Sequence, residues 1–207
     1  MTNCCLVPEE KLKEAAKKVF LEKGFDGTTT RDIAQEAGMN VALLNYYFRS
    51  KEKLFSLVFN ELFELNFRGM LQIMNQSIPL KDKITGLIDH DFQIFKSNPG
   101  LVTFLQNELH RNPDRFLCAI TLEKERLTTI FDQQLQKAIA AGEVRSITIP
   151  HVLQLIAANV QFIFQSKVMS TRLWQMTDVE FDQFVENHQK IVKDMICNYL
   201  FIPQEAD

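Results

Sequence analysis

The chain has 207 residues, a formal net charge of −3 and 46% hydrophobic residues, a composition typical of globular proteins. Its 7 Gly and 6 Pro exclude long linkers, low-complexity tracts and a turn-rich β-sandwich. No apolar run approaches the ~20 residues of a membrane helix, and the N-terminal apolar stretch is too short for a signal peptide, so we expect a cytoplasmic location. The four cysteines form no CxxC pair, and incidental thiols are favoured over a redox role for Cys4 and Cys5.

Apolar residues recur at helical spacing in the first 50 residues, where three short helices are predicted. They cover the ranges 9–23, 29–37 and 41–48. The signals that begin and end them are Gly24, Thr29 with Asp32, Gly38 and Asn40. The second and third helices are joined by the short link Gly38-Met39-Asn40, which is the layout of a helix–turn–helix.

Helical spacing continues to the end of the chain. Ser50 caps a long helix predicted from Lys51 to about residue 77. Further helices are predicted over 81–97, 99–111, 114–141, 150–172 and 178–201, the last with a capping box at Thr177 and Glu180. The predicted fold class is all-α with about nine helices. A helix–turn–helix domain over 1–50 precedes a larger helical domain over 51–207.

The third predicted helix has an outer face that lacks charge. Leu44 and Phe48 face the core, which leaves Val, Ala, Leu, Asn and two Tyr on or near the other side before Arg49. A small helical corner used only for packing would expose a more polar surface. The composition therefore favours a surface that meets a partner, as the second helix of a DNA-reading unit does.

A longer motif surrounds this helix. Its first half is Phe20-x-x-x-Gly24-Phe25-x-x-Thr28-Thr29-Thr30-x-x-Ile33-Ala34-x-x-Ala37-Gly38, and its second is Leu44-x-Tyr46-Tyr47-Phe48-x-Ser50-Lys51-x-x-Leu54. The motif resembles that of the TetR/AcrR family of transcriptional regulators, which the rest of the chain matches in length and helix count. The resemblance implies a homodimer with an N-terminal DNA-binding domain and a C-terminal domain for dimerisation and ligand binding. It also implies repression that a small molecule releases.

The resemblance carries the family's contacts with double-stranded DNA to particular positions of this chain. They are Thr30, Arg31, Val41, Ala42, Leu43, Asn45, Tyr46, Tyr47 and Lys51. The first two approach the DNA backbone, with a base contact as an alternative for Arg31. The next four enter the major groove and the last three hold phosphates. Hydroxyls, a helix N-terminus and an ammonium suit phosphate. For the two tyrosines, packing on the first helix is an alternative.

Three positions of the third helix depart from the family pattern. Leu43 stands where many members carry Thr or Ser, Asn45 where many carry Tyr, and Val41 at a commonly polar position. Apolar side chains pack on thymine methyls, and Asn pairs with adenine through two hydrogen bonds. We therefore predict an operator half-site rich in A·T pairs.

Polar residues on apolar helix faces mark a candidate ligand pocket in the larger domain. A buried carboxylate or amide needs a partner, so Asp91, Glu108 and Asn159 either line a cavity or pair internally. For the two acids, the internal partners are Arg111, Arg126 or a helix end. The candidate walls are Phe67, Met70, Met74, Phe95, Phe104 and Phe162. Such a pocket suits a small apolar ligand, including a cationic one.

The last predicted helix carries a long apolar stripe that a small core cannot cover. Its members are Phe181, Phe184, Val185, His188, Ile191, Val192, Met195 and Tyr199. Two helices from each subunit would form a four-helix dimer interface, and the resemblance implies the same. A dimer also suits an inverted-repeat operator, whose half-sites lie about 34–36 Å apart.

Two rival functions predict different features. An enzyme would use His90, His110, His151 or His188, but the sequence has no HExxH motif, phosphate loop or nucleophile elbow, so neither catalysis nor a cofactor or metal is expected. The other rival is a TetR-fold protein-interaction or nucleoid-associated factor that lacks sequence-specific operator binding. The apolar tip of the third helix motivates it, and it predicts DNA binding without sequence preference.

Overall fold

The computed structural model describes residues 7–98, 100–114, 117 and 124–203, with the backbone alone for 124–128. Within this part of the chain there are ten named helices and no strand, and one isolated bridge pairs Val144 with Phe201. The helices are α1 (Pro8–Lys23), α2 (Thr30–Glu36), α3 (Val41–Phe48), α4 (Lys51–Asn75), α5 (Leu80–Ser97), α6 (Leu101–Arg111), α7 (Lys124–Ala140), α8 (Ile149–Gln165), α9 (Lys167–Leu173) and α10 (Asp178–Leu200). The predicted all-α class is confirmed. Cys4, Cys5, Cys118 and part of the predicted helix 114–141 lie outside the described residues.

Packing divides the chain into two compact units. The first contains α1, α2, α3, α4 as far as Leu65, and α6 from Thr103 to Arg111. The second contains the remainder of α4 and α6, together with α5 and α7 to α10. The assignment of roles to 1–50 and 51–207 stays a prediction.

The first unit is built on an aromatic core. The buried face of α1 ends in Phe20, whose ring meets that of Phe55 from α4 edge to face at a centroid distance of 5.0 Å. Ile33 of α2 and Leu44 of α3 are fully buried in the same unit. Short helices are marginal on their own, so this burial is what keeps α2 and α3 folded.

One predicted helix, 150–172, was wrong as a single element. The structure has two helices there, α8 and α9, bent by 56° at a break at Ser166. The Ser166 hydroxyl donates to the carbonyl of Ile163 at 3.4 Å, a back-bond that commonly bends helices. In the described part of the chain no single helix is long and apolar enough to cross a membrane, and this bent pair meets the criterion only by length and composition.

Candidate functional site

The turn between α2 and α3 is closed by backbone hydrogen bonds. The Met39 N–H donates to the Ala34 carbonyl at 2.8 Å, and the Gly38 N–H donates to that of Gln35 at 3.1 Å. This is the Schellman pattern, which needs a left-handed residue, and Gly38 supplies it with φ +66°. Asn40 Oδ1 then accepts the Leu43 N–H at 2.8 Å, which confirms the predicted cap of α3.

The start of α2 is fixed by an ionic capping box. Thr29 Oγ1 accepts the Asp32 N–H at 3.1 Å, while Asp32 accepts the Thr29 N–H at 2.8 Å, so the predicted box is confirmed. The Lys23 ammonium beside Asp32, together with the hydrogen bonds from Thr29, holds the pKa of that carboxyl well below its usual range. Thr30 and Arg31 lie between the two members of this box, so their backbone is held in the first turn of α2.

The two sides of α3 differ as predicted. Leu44 and Phe48 are 0% and 4% exposed, whereas Tyr46 is 77% exposed and its neighbour Asn45 is exposed as well. Ala42 is exposed, and Val41, Leu43 and Tyr47 are half-buried. α3 therefore presents an uncharged outer face while its inner face anchors it.

The two tyrosines have different surroundings. The Tyr47 ring contacts Tyr46 edge to face at 5.2 Å and lies 6.4 Å from the ring of Phe48. Tyr47 is therefore partly held by its neighbours, and Tyr46 projects outward. A hydroxyl on a projecting ring is free to donate to a phosphate oxygen.

Three exposed cations lie on the elements next to this face in the chain: Arg31 in α2, Arg49 directly after α3 and Lys53 in α4. None forms an ion pair with any residue that the structure describes. Arg49 ends α3 with φ +61°, a left-handed conformation that is uncommon outside glycine. Sequence reasoning did not assign Arg49 or Lys53 to the site. Their position directly after the uncharged third helix is the sequence feature that could have identified them.

Lys51 has a structural role that the sequence did not reveal. Its ammonium donates to the carbonyls of Phe25 and Thr28, both at 2.9 Å, and lies 4.1 Å from the centroid of the Phe25 ring. Two of its three N–H groups thus hold the loop that precedes α2. A phosphate contact through the third stays a prediction.

The residues predicted to line a ligand pocket are divided between the units. Phe104 and Glu108 belong to the first unit. There Glu108 is 2% exposed and accepts from Arg111 Nε at 3.0 Å, which confirms internal pairing for this acid.

The other seven pocket candidates belong to the second unit. Phe67, Met74 and Phe95 are buried, Met70, Asp91 and Asn159 are half-buried, and Phe162 is 63% exposed. The Asn159 amide donates to the Leu155 carbonyl at 2.7 Å, and Asp91 lies 3.2 Å from His90 Nδ1. Both polar candidates therefore have partners within their own helices, and their role in a pocket stays a prediction.

The predicted dimer stripe of α10 separates into two rows. Phe181, Val185 and Val192 are buried within the chain. His188 is half-buried, and its Nε2 lies 3.1 Å from the Asn159 carbonyl of α8. The exposed row consists of Phe184, Ile191, Met195 and Tyr199. The role of this exposed row in a dimer interface stays a prediction.

Comparison with known proteins agrees with this arrangement. The family model "Bacterial regulatory proteins, tetR family" matches residues 12–58. The HTH-type transcriptional repressor KstR2 of Mycolicibacterium smegmatis is 30% identical over 138 residues, which cover 66% of this chain and 67% of that protein. The Fatty acid metabolism regulator protein of Bacillus subtilis is 24% identical over 82% of this chain and 84% of that protein. The solved structure of the ketosteroid transcriptional regulator KstR2 of Mycobacterium tuberculosis covers 98% of each chain with a TM-score of 0.69 and 21% identity, which shows a shared fold.

Proposed function

The chain belongs to the TetR family of DNA-binding transcriptional regulators, and we propose that it is a homodimeric repressor of an inverted-repeat operator. It acts in the cytoplasm, and a small apolar effector releases it from DNA. The observation that carries the proposal is the outer face of α3, where Ala42, Asn45 and Tyr46 are exposed on a helix fixed at both ends. A helix presented in this way fits the major groove.

The DNA-facing residues divide by chemistry. Asn45 offers an amide that pairs with adenine, while Val41, Ala42 and Leu43 offer methyl groups for thymine. Thr30, Arg31, Tyr46, Tyr47 and the remaining N–H of Lys51 hold the phosphate backbone, and we add Arg49 and Lys53. The half-site is therefore rich in A·T pairs.

The exposed row of α10 supports pairing of two subunits. Phe184, Ile191 and Met195 lie one or two turns apart, and Phe162 of the adjacent α8 is also exposed. Two copies of this surface form a four-helix interface. An inverted-repeat operator requires two α3 helices about 34–36 Å apart, the spacing of successive major grooves.

The effector is a small apolar molecule bound in the domain that begins at residue 51. The buried Phe67, Met74 and Phe95 support this choice. So do the descriptions of two relatives, one a ketosteroid regulator and the other a regulator of fatty acid metabolism. Thermal unfolding with a panel of steroids, fatty acids and lipophilic cations tests it, because a ligand of the folded state raises the midpoint. An unchanged midpoint with every class, cations included, would contradict an apolar effector.

In vitro selection from random duplex DNA at about 150 mM salt tests the operator proposal, because this salt suppresses non-specific phosphate binding. We expect one inverted repeat with A·T-rich half-sites. G·C-rich half-sites would contradict the assignment of Val41, Leu43 and Asn45. Recovery of no preferred site by a folded dimer would favour the protein-interaction or nucleoid-associated alternative.

A further inference from the structure

We infer that Arg111, the last residue of α6, is a positioning residue for the DNA-reading helices. It lies outside the family-model match at 12–58 and far from α2 and α3 in sequence. The inference rests on the proposed function, because a positioning role needs a DNA-reading surface to position.

Arg111 joins four groups of the first unit. Its guanidinium carbon lies 3.8 Å from the centroid of the Phe25 ring and 5.3 Å from that of Phe55. Its Nε donates to Glu108 at 3.0 Å, and its Nη1 lies 3.5 Å from Asp26. Because Glu108 is buried, the pair holds the guanidinium in one place over the Phe25 ring.

The Phe25 ring carries a second cation, the ammonium of Lys51. That ammonium reaches from the first turn of α4 to the carbonyls of Phe25 and Thr28. Arg111 and Lys51 thus act on one ring and the loop that carries it, from two different helices. Displacing either cation would therefore shift the Phe25 ring that the other cation contacts.

The loop from Gly24 to Thr28 has little freedom to adjust. The buried Thr28 hydroxyl donates to the Gly24 carbonyl at 2.6 Å. A Cβ at Gly27 would lie 2.4 Å from the Lys23 carbonyl oxygen, so the backbone turns are in close contact there. A shift of the Phe25 ring is therefore passed along the loop.

The loop ends at Thr29, the N-cap of α2. α2 in turn packs against α3, so the position of the loop sets the position of both reading helices. Base contacts require placement within about 0.5 Å, whereas phosphate attraction tolerates more. Arg111 therefore affects sequence-specific binding without touching DNA.

The test uses the full-length dimer and the selected operator. The double variant Glu108→Gln/Arg111→Met removes both charges, so no unpaired carboxylate stays buried. Arg172→Met is the control for the loss of an arginine elsewhere, since Arg172 is an exposed arginine in the last turn of α9. Affinities for operator and scrambled duplexes are measured over a range of salt.

We expect the double variant to bind the operator about tenfold more weakly, as for a lost cation–π contact with its ion pair. Affinity for scrambled DNA and the salt dependence stay unchanged, because no phosphate contact is removed. The control matches the wild type. Equal losses on both duplexes, or no loss, would overturn the inference.

Amide hydrogen exchange separates positioning from a general loss of stability. In the double variant we expect faster exchange for the amides of Asp32 and Ile33, at the start of α2, with unchanged protection in α10. A uniform increase would identify Arg111 as merely stabilising, and unchanged exchange would also overturn the inference. This measurement needs no DNA, so it stands even where selection finds no operator.

Discussion

The two units reach their folds by different means. In the first, α2 and α3 have only seven and eight residues, yet each begins with a side-chain cap, and Gly38 turns the chain between them. In the second, the 23-residue α10 buries one row of apolar side chains and leaves another exposed. Local signals therefore place α2 and α3 in the first unit. In the second, packing between distant segments of the chain decides which apolar side chains are buried.

The largest expected effect comes from the exposed row of α10, which we propose pairs two subunits, whereas α3 reads DNA. Ile191→Glu puts a charge into the exposed row of α10, so we expect a monomer by sedimentation velocity. Operator binding should fall roughly a thousandfold or more, toward the non-specific level. The control Gln133→Glu adds the same charge at an exposed position of α7 and should leave the dimer intact. A dimeric Ile191→Glu variant with full operator affinity would show that this row does not pair the subunits.

The next effect distinguishes the buried side of α3, which anchors the helix, from its outer side, which we propose contacts DNA. Leu44→Ala empties a fully buried site and should lower the free energy of unfolding by about 2–5 kcal/mol. Leu43→Ala, one residue earlier on the half-buried outer side, should cost less than about 1 kcal/mol yet weaken operator binding. Chemical denaturation with parallel binding measurements tests the pair. Similar stability losses for both variants would contradict the assignment of faces.

Each unit contains a capping box of the same kind, which allows a direct comparison of the two units. Thr29→Ala and Thr177→Ala each remove a Thr that accepts the N–H three residues on, so each should cost about 1 kcal/mol of unfolding free energy. Only Thr29→Ala should also weaken operator binding, because its box positions Thr30 and Arg31. Equal operator affinities for the two variants would show that the start of α2 does not set the reading surface.

The smallest expected effect concerns a buried cation of the second unit. Lys83 is fully buried and its Nζ donates to the Met74 carbonyl at 2.7 Å, while burial lowers its pKa from 10.5. At pH values between its pKa in the folded protein and its pKa of 10.5 in the unfolded chain, Lys83 is protonated mainly in the unfolded chain. The unfolded chain therefore binds more protons, and Lys83 makes the free energy of unfolding increase as the pH rises toward 10.5. Lys83→Met should lack that gain and differ from the wild type by less than about 1 kcal/mol at neutral pH.

The exposed Lys81→Met variant in the same helix is the control for this pH dependence. Denaturation at increasing pH should show the stability of the wild type rising relative to that of Lys83→Met, with no such rise relative to Lys81→Met. No rise relative to either variant would mean that the Lys83 ammonium is not penalised by burial.

Sequence reasoning succeeded where the physical cause is local. The caps at Thr29 and Thr177 were predicted from the acid three residues on, and those at Asn40 and Ser50 from the residue that precedes the helix. Each accepts the expected N–H. The inward side of α3 was predicted because its helical spacing leaves Leu44 and Phe48 on one face.

Sequence reasoning failed where the cause is a contact between distant segments. Lys51 was assigned to phosphate alone because nothing local shows that the carbonyls of Phe25 and Thr28 come within reach of its ammonium. Nothing in the sequence indicated that Lys83 is buried, since a lysine in a first helical turn is normally solvated. The break at Ser166 was missed because neither Gly nor Pro marks it.

The most direct test of the central claim, that the outer face of α3 reads DNA, is the base preference of Asn45→Ala on the selected operator. We expect that preference to relax at one A·T position per half-site, by about 1–3 kcal/mol, with discrimination elsewhere unchanged. Asn60→Ala, which alters an exposed amide on α4, should leave every position unchanged. Full discrimination at every position in Asn45→Ala would contradict the account.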